Sequence, residues 1–189
     1  MMITMPTSRI RSLGLAWVLA VVATALMPNP SHAQRVVTRL QGFRDPILLD
    51  TLVFQRAKTG APMTQSFAAL REVYKELRVP LDLDDPKYNH VGSFTLRLTT
   101  RLGGERLSTY FSCGRGMTGE NADTWRLSIA MATFLRPAGP DDTEIGTGTA
   151  ASAQDMGGAA KDHVTCGSSG FLEARIARMV RDKLAAAKP

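Results

Sequence analysis

The sequence predicts an α+β fold: a twisted antiparallel sheet with an early helix and a C-terminal helix packed on one of its faces. Residues 93–102 and 124–136 alternate apolar and polar side chains with period two. Residues 64–78 and 170–186 carry apolar stripes at helical spacing. Gly103-Gly104, which follows the first alternating stretch, is the residue pair of a tight antiparallel hairpin. Alternation, rather than continuous apolar runs, predicts a sheet buried on one face and solvated on the other.

The chain begins with Arg9 and Arg11 before an uncharged run from Leu13 to Met27. Pro28 and Pro30 break that run, and Ser31-His32-Ala33 supplies small residues where a signal peptidase reads. Residues 1–33 are therefore expected to be a secretory signal cut between Ala33 and Gln34. The run falls short of the ~20 apolar residues of a spanning helix. Gln34 stands where a lipoprotein would carry cysteine, so no stable membrane anchor is expected after cleavage. Residues 34–46 read as a lead-in segment, with Val36, Thr38 and Leu40 alternating before Pro46. Residues 47–187 are then a single α+β domain.

Within it, 47–56 (ILLDTLVFQR) reads as a largely buried strand and Thr59-Gly60-Ala61-Pro62 as a turn. The helix over 64–78 is capped by Thr64 or Ser66, turns Phe67, Leu70, Val73, Tyr74 and Leu77 to the core, and stops at Pro80. Asp82, Asp84 and Asp85 read as a solvated acidic loop. Phe94, Leu96 and Leu98 are expected on the core face, with Arg97 and Arg101 on the other. Leu107, Thr109 and Phe111 continue a return strand, and 113–123 is a glycine-rich loop. In 124–136, Trp125, Leu127, Ile129, Met131 and Leu135 face the core, while Arg126 and Arg136 face solvent. Residues 143–154 read as a weaker partner strand of small side chains, and 163–165 as a short extended piece. The closing helix has Leu172, Ile176, Met179, Val180 and Leu184 as its stripe. Glu173 sits in its first turn, with Arg181 and Lys183 near the end where cations suit the helix dipole.

The expected signal holds two of the 23 basic residues and none of the 17 acidic ones, so the remainder carries a net charge of +4. That is mildly basic, not the dense field of a nucleic-acid binder, and no nucleic-acid partner is expected. Cys113 and Cys166 are the two cysteines. An even pair in an exported domain reads most simply as a disulfide, closing a loop for which chain entropy gives about 4 kcal/mol. Free structural thiols, or a Cys166–His163 pair, are the alternatives.

No catalytic signature or cofactor motif emerges. Gly167-Ser168-Ser169-Gly170 lacks the glycine that a nucleophile elbow needs where Phe171 stands, and reads instead as a helix cap with Glu173. Gly114, Gly116 and Gly119 lack the following Lys-Ser/Thr of a phosphate cradle. No cofactor, metal or catalytic residue is assigned. Arg97, Arg101, Arg126 and Arg136 form a candidate anion-facing patch if they share a sheet face. Tyr74, Phe94 and Trp125 are the candidate lining of a groove between helix and sheet.

The order strand, helix, antiparallel strands, closing helix, with Phe67, Leu70, Val73 and Leu77 spaced along the first helix, resembles the helix-grip domains of bacterial envelope proteins such as BamC. The resemblance implies a helix after the first strand and a last helix beside it, over about residues 48–186. Cys113-Gly114 and the run Cys166 to Gly170 before Leu172-Glu173 are similar to a pattern in uncharacterised secreted bacterial proteins. The expected function is that of an exported, non-enzymatic envelope protein, periplasmic or extracellular. It would bind or scaffold an envelope protein through its sheet face or through the groove between helix and sheet. The alternative is a carrier of a small apolar ligand in the groove, and an enzyme of unknown type stands third.

Overall fold

Apolar periodicity of two kinds builds this fold, and the computed structural model describes it over residues 35–157 and 162–187. The expected signal and its cleavage site lie outside the described residues. Strands β1 (Val37–Thr38) and β2 (Ile47–Leu48) pair, a 3-10 turn follows at Leu49–Leu52, and β3 spans Arg56–Lys58. Helix α1 (Met63–Glu76) precedes β4 (Leu83–Asp85) and β5 (His90–Leu98). Strands β6 (Arg101–Leu102) and β7 (Glu105–Arg106) form a hairpin on Gly103 and Gly104, with φ of 56° and 90°. After a 3-10 turn at Leu107–Thr109 come β8 (Phe111–Ser112), β9 (Arg115–Gly116), β10 (Gly119–Glu120) and the single-turn helix α2 (Asn121–Thr124). Strands β11 (Arg126–Gly139), β12 (Asp142–Gln154) and β13 (His163–Ser168) lead to the closing helix α3 (Phe171–Ala186).

The main sheet runs β4-β5-β11-β12-β13-β8, all antiparallel, and β3 pairs with the opposite end of β12 from β13. Both long helices cover one face. Leu70, Val73, Tyr74 and Leu77 of α1 and Leu172, Ile176, Val180 and Leu184 of α3 pack on Leu127, Ile129, Met131 and Leu135. Period-two alternation puts that row of β11 on one side, as its sequence predicts.

The other face is not left to solvent, contrary to the one-sided burial that alternation suggests. Val36, Leu40, Ile47 and Leu49 lie against Ala130, Ala132, Phe134 and Ala150. The lead-in segment is thus part of the core. Residues 47–56 are not one strand: Thr51 Oγ1 donates to the Leu48 carbonyl at 2.8 Å, and the backbone turns there to lie across the sheet. Small residues in β12 have the same cause. It is not a weaker partner but a central strand, buried from Ile145 to Ala153, and Gly146 and Gly148 let the covering segment approach its backbone.

Three further expectations change on folding. Neither Thr64 nor Ser66 caps α1. Pro62 takes the N-cap position, while the buried Ser66 hydroxyl bonds Thr59 Oγ1 at 2.8 Å. Pro80 does not itself end the helix: Arg78 adopts φ 57°, and Val79 N–H donates to the Tyr74 carbonyl in a Schellman closure. The stretch after the glycine pair does not return along β5, because it leaves as the separate β6–β7 hairpin and only β8 rejoins the sheet, beside β13.

Candidate ligand-binding site

The far edge of β12 is shared by two strands that do not meet. β3 pairs with Glu144–Gly146 and β13 with Ala151–Gln154. Among the described residues, 147–150 have no strand partner on that side. Helix α3 reaches across this gap. The Thr149 hydroxyl donates to Glu173 Oε1, and Ser168 Oγ donates to the same oxygen at 2.7 Å. Glu173 is only 7% exposed, and its Oε2 has no hydrogen-bond partner.

A cavity of about 170 Å³ opens beside it. Ile145 and Thr147 of β12, Gln55, Arg56 and Ala57 of the β3 segment, and Glu173 and Ala177 of α3 line it, with Arg181 also on its wall. Glu173, Ala177 and Arg181 are spaced four residues apart, so they stack on one side of α3. The small side chain of Ala177 leaves the space between the acid and the base. Buried polar atoms in folded proteins are almost always paired; of the few here without a partner, two, Glu173 Oε2 and Arg56 Nη1, belong to residues that line this cavity. Arg181 is exposed and makes no ion pair with the described residues.

The structure divides the predicted arginine patch. Arg97 and Arg126 are exposed on the second face, with Arg97 directly opposite Ser128 on the neighbouring strand. They stand beyond the part of that face which the N-terminal segment covers, and Arg97 lines a surface hollow with Arg39 and Phe94. Arg136 is also exposed but lies ten residues along β11 from Arg126, about 33 Å at ~3.3 Å per residue. Arg101 has left the sheet. Its Nη1 donates to the Gly104 carbonyl at 2.6 Å, beside Leu77 and Arg175 on the helix side.

Nor do Tyr74, Phe94 and Trp125 line one groove. Tyr74 is fully buried, its hydroxyl 2.9 Å from Thr133 Oγ1, which is 2.8 Å from Thr147 Oγ1. Burial pushes its phenol well above the ordinary tyrosine range, against the hydrogen bond to Thr133. Trp125 is half-buried on the helix side. Phe94 packs on the opposite face, because a bulge in β5 sets Phe94 and Thr95 against the single residue Ala130 and reverses the alternation.

The acidic trio is solvated, with Asp82 and Asp84 exposed, but it is structured: Asp84 and Asp85 lie in β4 and all three carboxylates have partners. Asp82 Oδ2 accepts from Phe94 N–H at 2.8 Å, Thr95 N–H at 2.9 Å, Thr95 Oγ1 at 2.7 Å and Ser93 Oγ at 3.1 Å, and so fastens the bulge. Burial pushes its carboxyl up, but these bonds outweigh it and hold the group below the usual carboxylate range. Asp84 pairs with Arg71 at 2.9 Å, and Asp85 accepts the Lys87 and Tyr88 N–H groups.

Cys113 and Cys166 are joined by a disulfide, with Cα atoms 4.3 Å apart, which leaves no thiol for a Cys–His pair. They are the next opposed pair after Ser168–Phe111 and Gly167–Ser112 in the β13–β8 ladder.

Sequence reasoning placed Glu173 at the helix start but missed its place in the cavity. The signal was there: at about 100° per residue, Glu173 falls between Val180 and Leu184 in the buried arc of α3.

Compared with protein-family models, with curated proteins and with solved structures, the chain matches none. No helix among the described residues is long and apolar enough to cross a membrane.

Proposed function

We propose that this is an exported, non-enzymatic binding domain that takes a small polar ligand into the cavity between α3 and the gap in the sheet. The observation that carries the reading is that two residues lining the cavity, Glu173 and Arg56, each hold a buried charged-group atom, Oε2 and Nη1, without a hydrogen-bond partner. It replaces an apolar groove with a site whose inner wall is charged. Thr147, the one hydroxyl residue of the lining, is already bonded to Thr133, and the Thr149 and Ser168 hydroxyls beside Glu173 are both spent on its Oε1. That favours binding over catalysis. The disulfide suits an oxidising compartment. Together with the expected signal it supports a periplasmic or extracellular location.

Thermal unfolding of the protein beginning at Gln34 tests the binding reading, against amines, carboxylic acids, amino acids and neutral sugars. At least one class should raise Tm, and the effect should vanish in Ala177→Met, which fills the cavity. No shift with any class, or a shift that Ala177→Met leaves intact, would overturn it. Intact mass of the exported product should show Gln34 as the first residue. A product that keeps Met1 would sink the export reading.

A further inference from the structure

We propose that the ligand of this cavity is a small zwitterionic amine, with its ammonium toward Glu173 and its carboxylate toward Arg56 and Arg181. The inference rests on the reading of the cavity as a binding site and adds the chemistry of what fills it. Thr149 and Ser168 hold Oε1 of Glu173, which leaves the buried Oε2 as the oxygen without a partner, on a residue that lines the cavity. A buried carboxylate oxygen without a partner is costly, and the donor that offsets it best is itself charged. Guanidinium suits the position poorly: its planar fork wants two acceptors side by side, and only one oxygen is free. An ammonium is a compact point charge with three donors and needs no second carboxylate oxygen.

The same wall carries the opposite charge. Arg181 lies two turns from Glu173 on one side of α3, lines the cavity, and has no acidic partner among the described residues. Arg56 of β3 lines the same cavity, and its buried Nη1 has no hydrogen-bond partner, so a ligand carboxylate would meet two guanidinium groups. Ala177 stands between Glu173 and Arg181 along α3, and Ile145 adds a second apolar side chain to the lining. The volume fixes the scale. About 170 Å³ is comparable to the ~150 Å³ that holds a benzene-sized molecule, so about six heavy atoms fit. Alanine has that size and both charges.

Isothermal titration of the protein beginning at Gln34 with alanine, alanine methyl ester and N-acetylalanine tests this. Free alanine should bind, and acetylation of the amine should weaken binding at least about tenfold. Glu173→Gln should weaken alanine by a similar factor. Arg181→Met should weaken alanine but not the methyl ester. Met at position 181 replaces an exposed side chain, so this variant carries the test if Glu173→Gln fails to fold. Equal binding of alanine and its methyl ester would overturn the zwitterion and leave the cavity as a site for amines. N-acetylalanine binding as well as alanine would overturn the ammonium contact. If no compound of any class binds, and water alone fills the cavity, the binding reading itself falls.

Discussion

The carbonyl oxygen of Leu49 occupies the place where Gly148 would carry a side chain. A β-carbon built on Gly148 stands 1.9 Å from that oxygen, well inside any allowed contact. Leu49 is fully buried in the segment that crosses the second sheet face, so the two residues set how closely that segment sits on β12.

Gly148→Ala should therefore destabilise the protein by about 2–3 kcal/mol, the range of an overpacked core, as the covering segment is pushed off. Gly167→Ala is the control, since nothing lies within 4 Å of its β-carbon. Chemical denaturation measures both, and limited proteolysis should cut between Val36 and Val53 faster in the first variant alone. Equal stability of the two variants would refute the close approach.

Cys113–Cys166 should contribute about 2–4 kcal/mol, chiefly by restricting the unfolded chain. Denaturant titration with and without reductant reads the difference. Non-reducing peptide mapping should recover the two cysteines in one linked peptide pair. Both thiols alkylating in native, oxidised protein would contradict the bond.

Arg78 closes α1 with φ 57°, a left-handed conformation that costs a side-chain-bearing residue about 1–2 kcal/mol. Arg78→Gly should raise stability by about 1 kcal/mol, offset in part by the greater freedom of glycine in the unfolded chain. A fall in the denaturation midpoint would show that the arginine side chain matters more than its backbone.

His90 and Asp82 shape the response to acid, beside Asp142, whose carboxyl the Gly60 N–H holds below its ordinary value. Burial holds His90 below the ordinary 6.5; Asp85 and Asp50 oppose it and Arg136 adds to it. The unfolded chain then binds more protons just below that value. Stability from neutral His90 is full above about 6.5 and falls as pH drops toward the lowered folded value. Asp82 is held below its ordinary 3.8, so its contribution is present above that value and is lost as pH falls through the folded one. Denaturant midpoints across this range should drop in two phases. His90→Gln should remove the upper phase and Asp82→Asn reduce the lower one, and profiles that coincide with wild type would refute the assignment.

Local patterns in the sequence carried most of the helix face of this fold. Leu70, Val73, Tyr74 and Leu77 on α1, and Leu127, Ile129 and Met131 on β11, lie where periodicity puts them, because each follows from a repeat within one element. Phe94 did not, since a bulge fastened by Asp82 depends on a residue twelve positions away. The covered second face was hidden for the same reason: alanines and glycines in β12 look weak until the segment that needs their smallness is placed over them. In the candidate site, Glu173 was legible as a helix-start residue. Its cavity was not, because the gap between β3 and β13 arises only from pairing.

The cover over the second face also orders events in time. β11 and β12 join through Pro140-Asp141, so that hairpin can zip from its own turn. Leu49, by contrast, precedes Gly148 by about a hundred residues, and it has no surface to land on until the hairpin exists. A chain made from its N-terminus first therefore holds the apolar stretch from Val36 to Val53 without a home until its C-terminal half arrives. For that interval the stretch is open to aggregation or to capture by a chaperone, and the speed of hairpin closure decides how long the interval lasts.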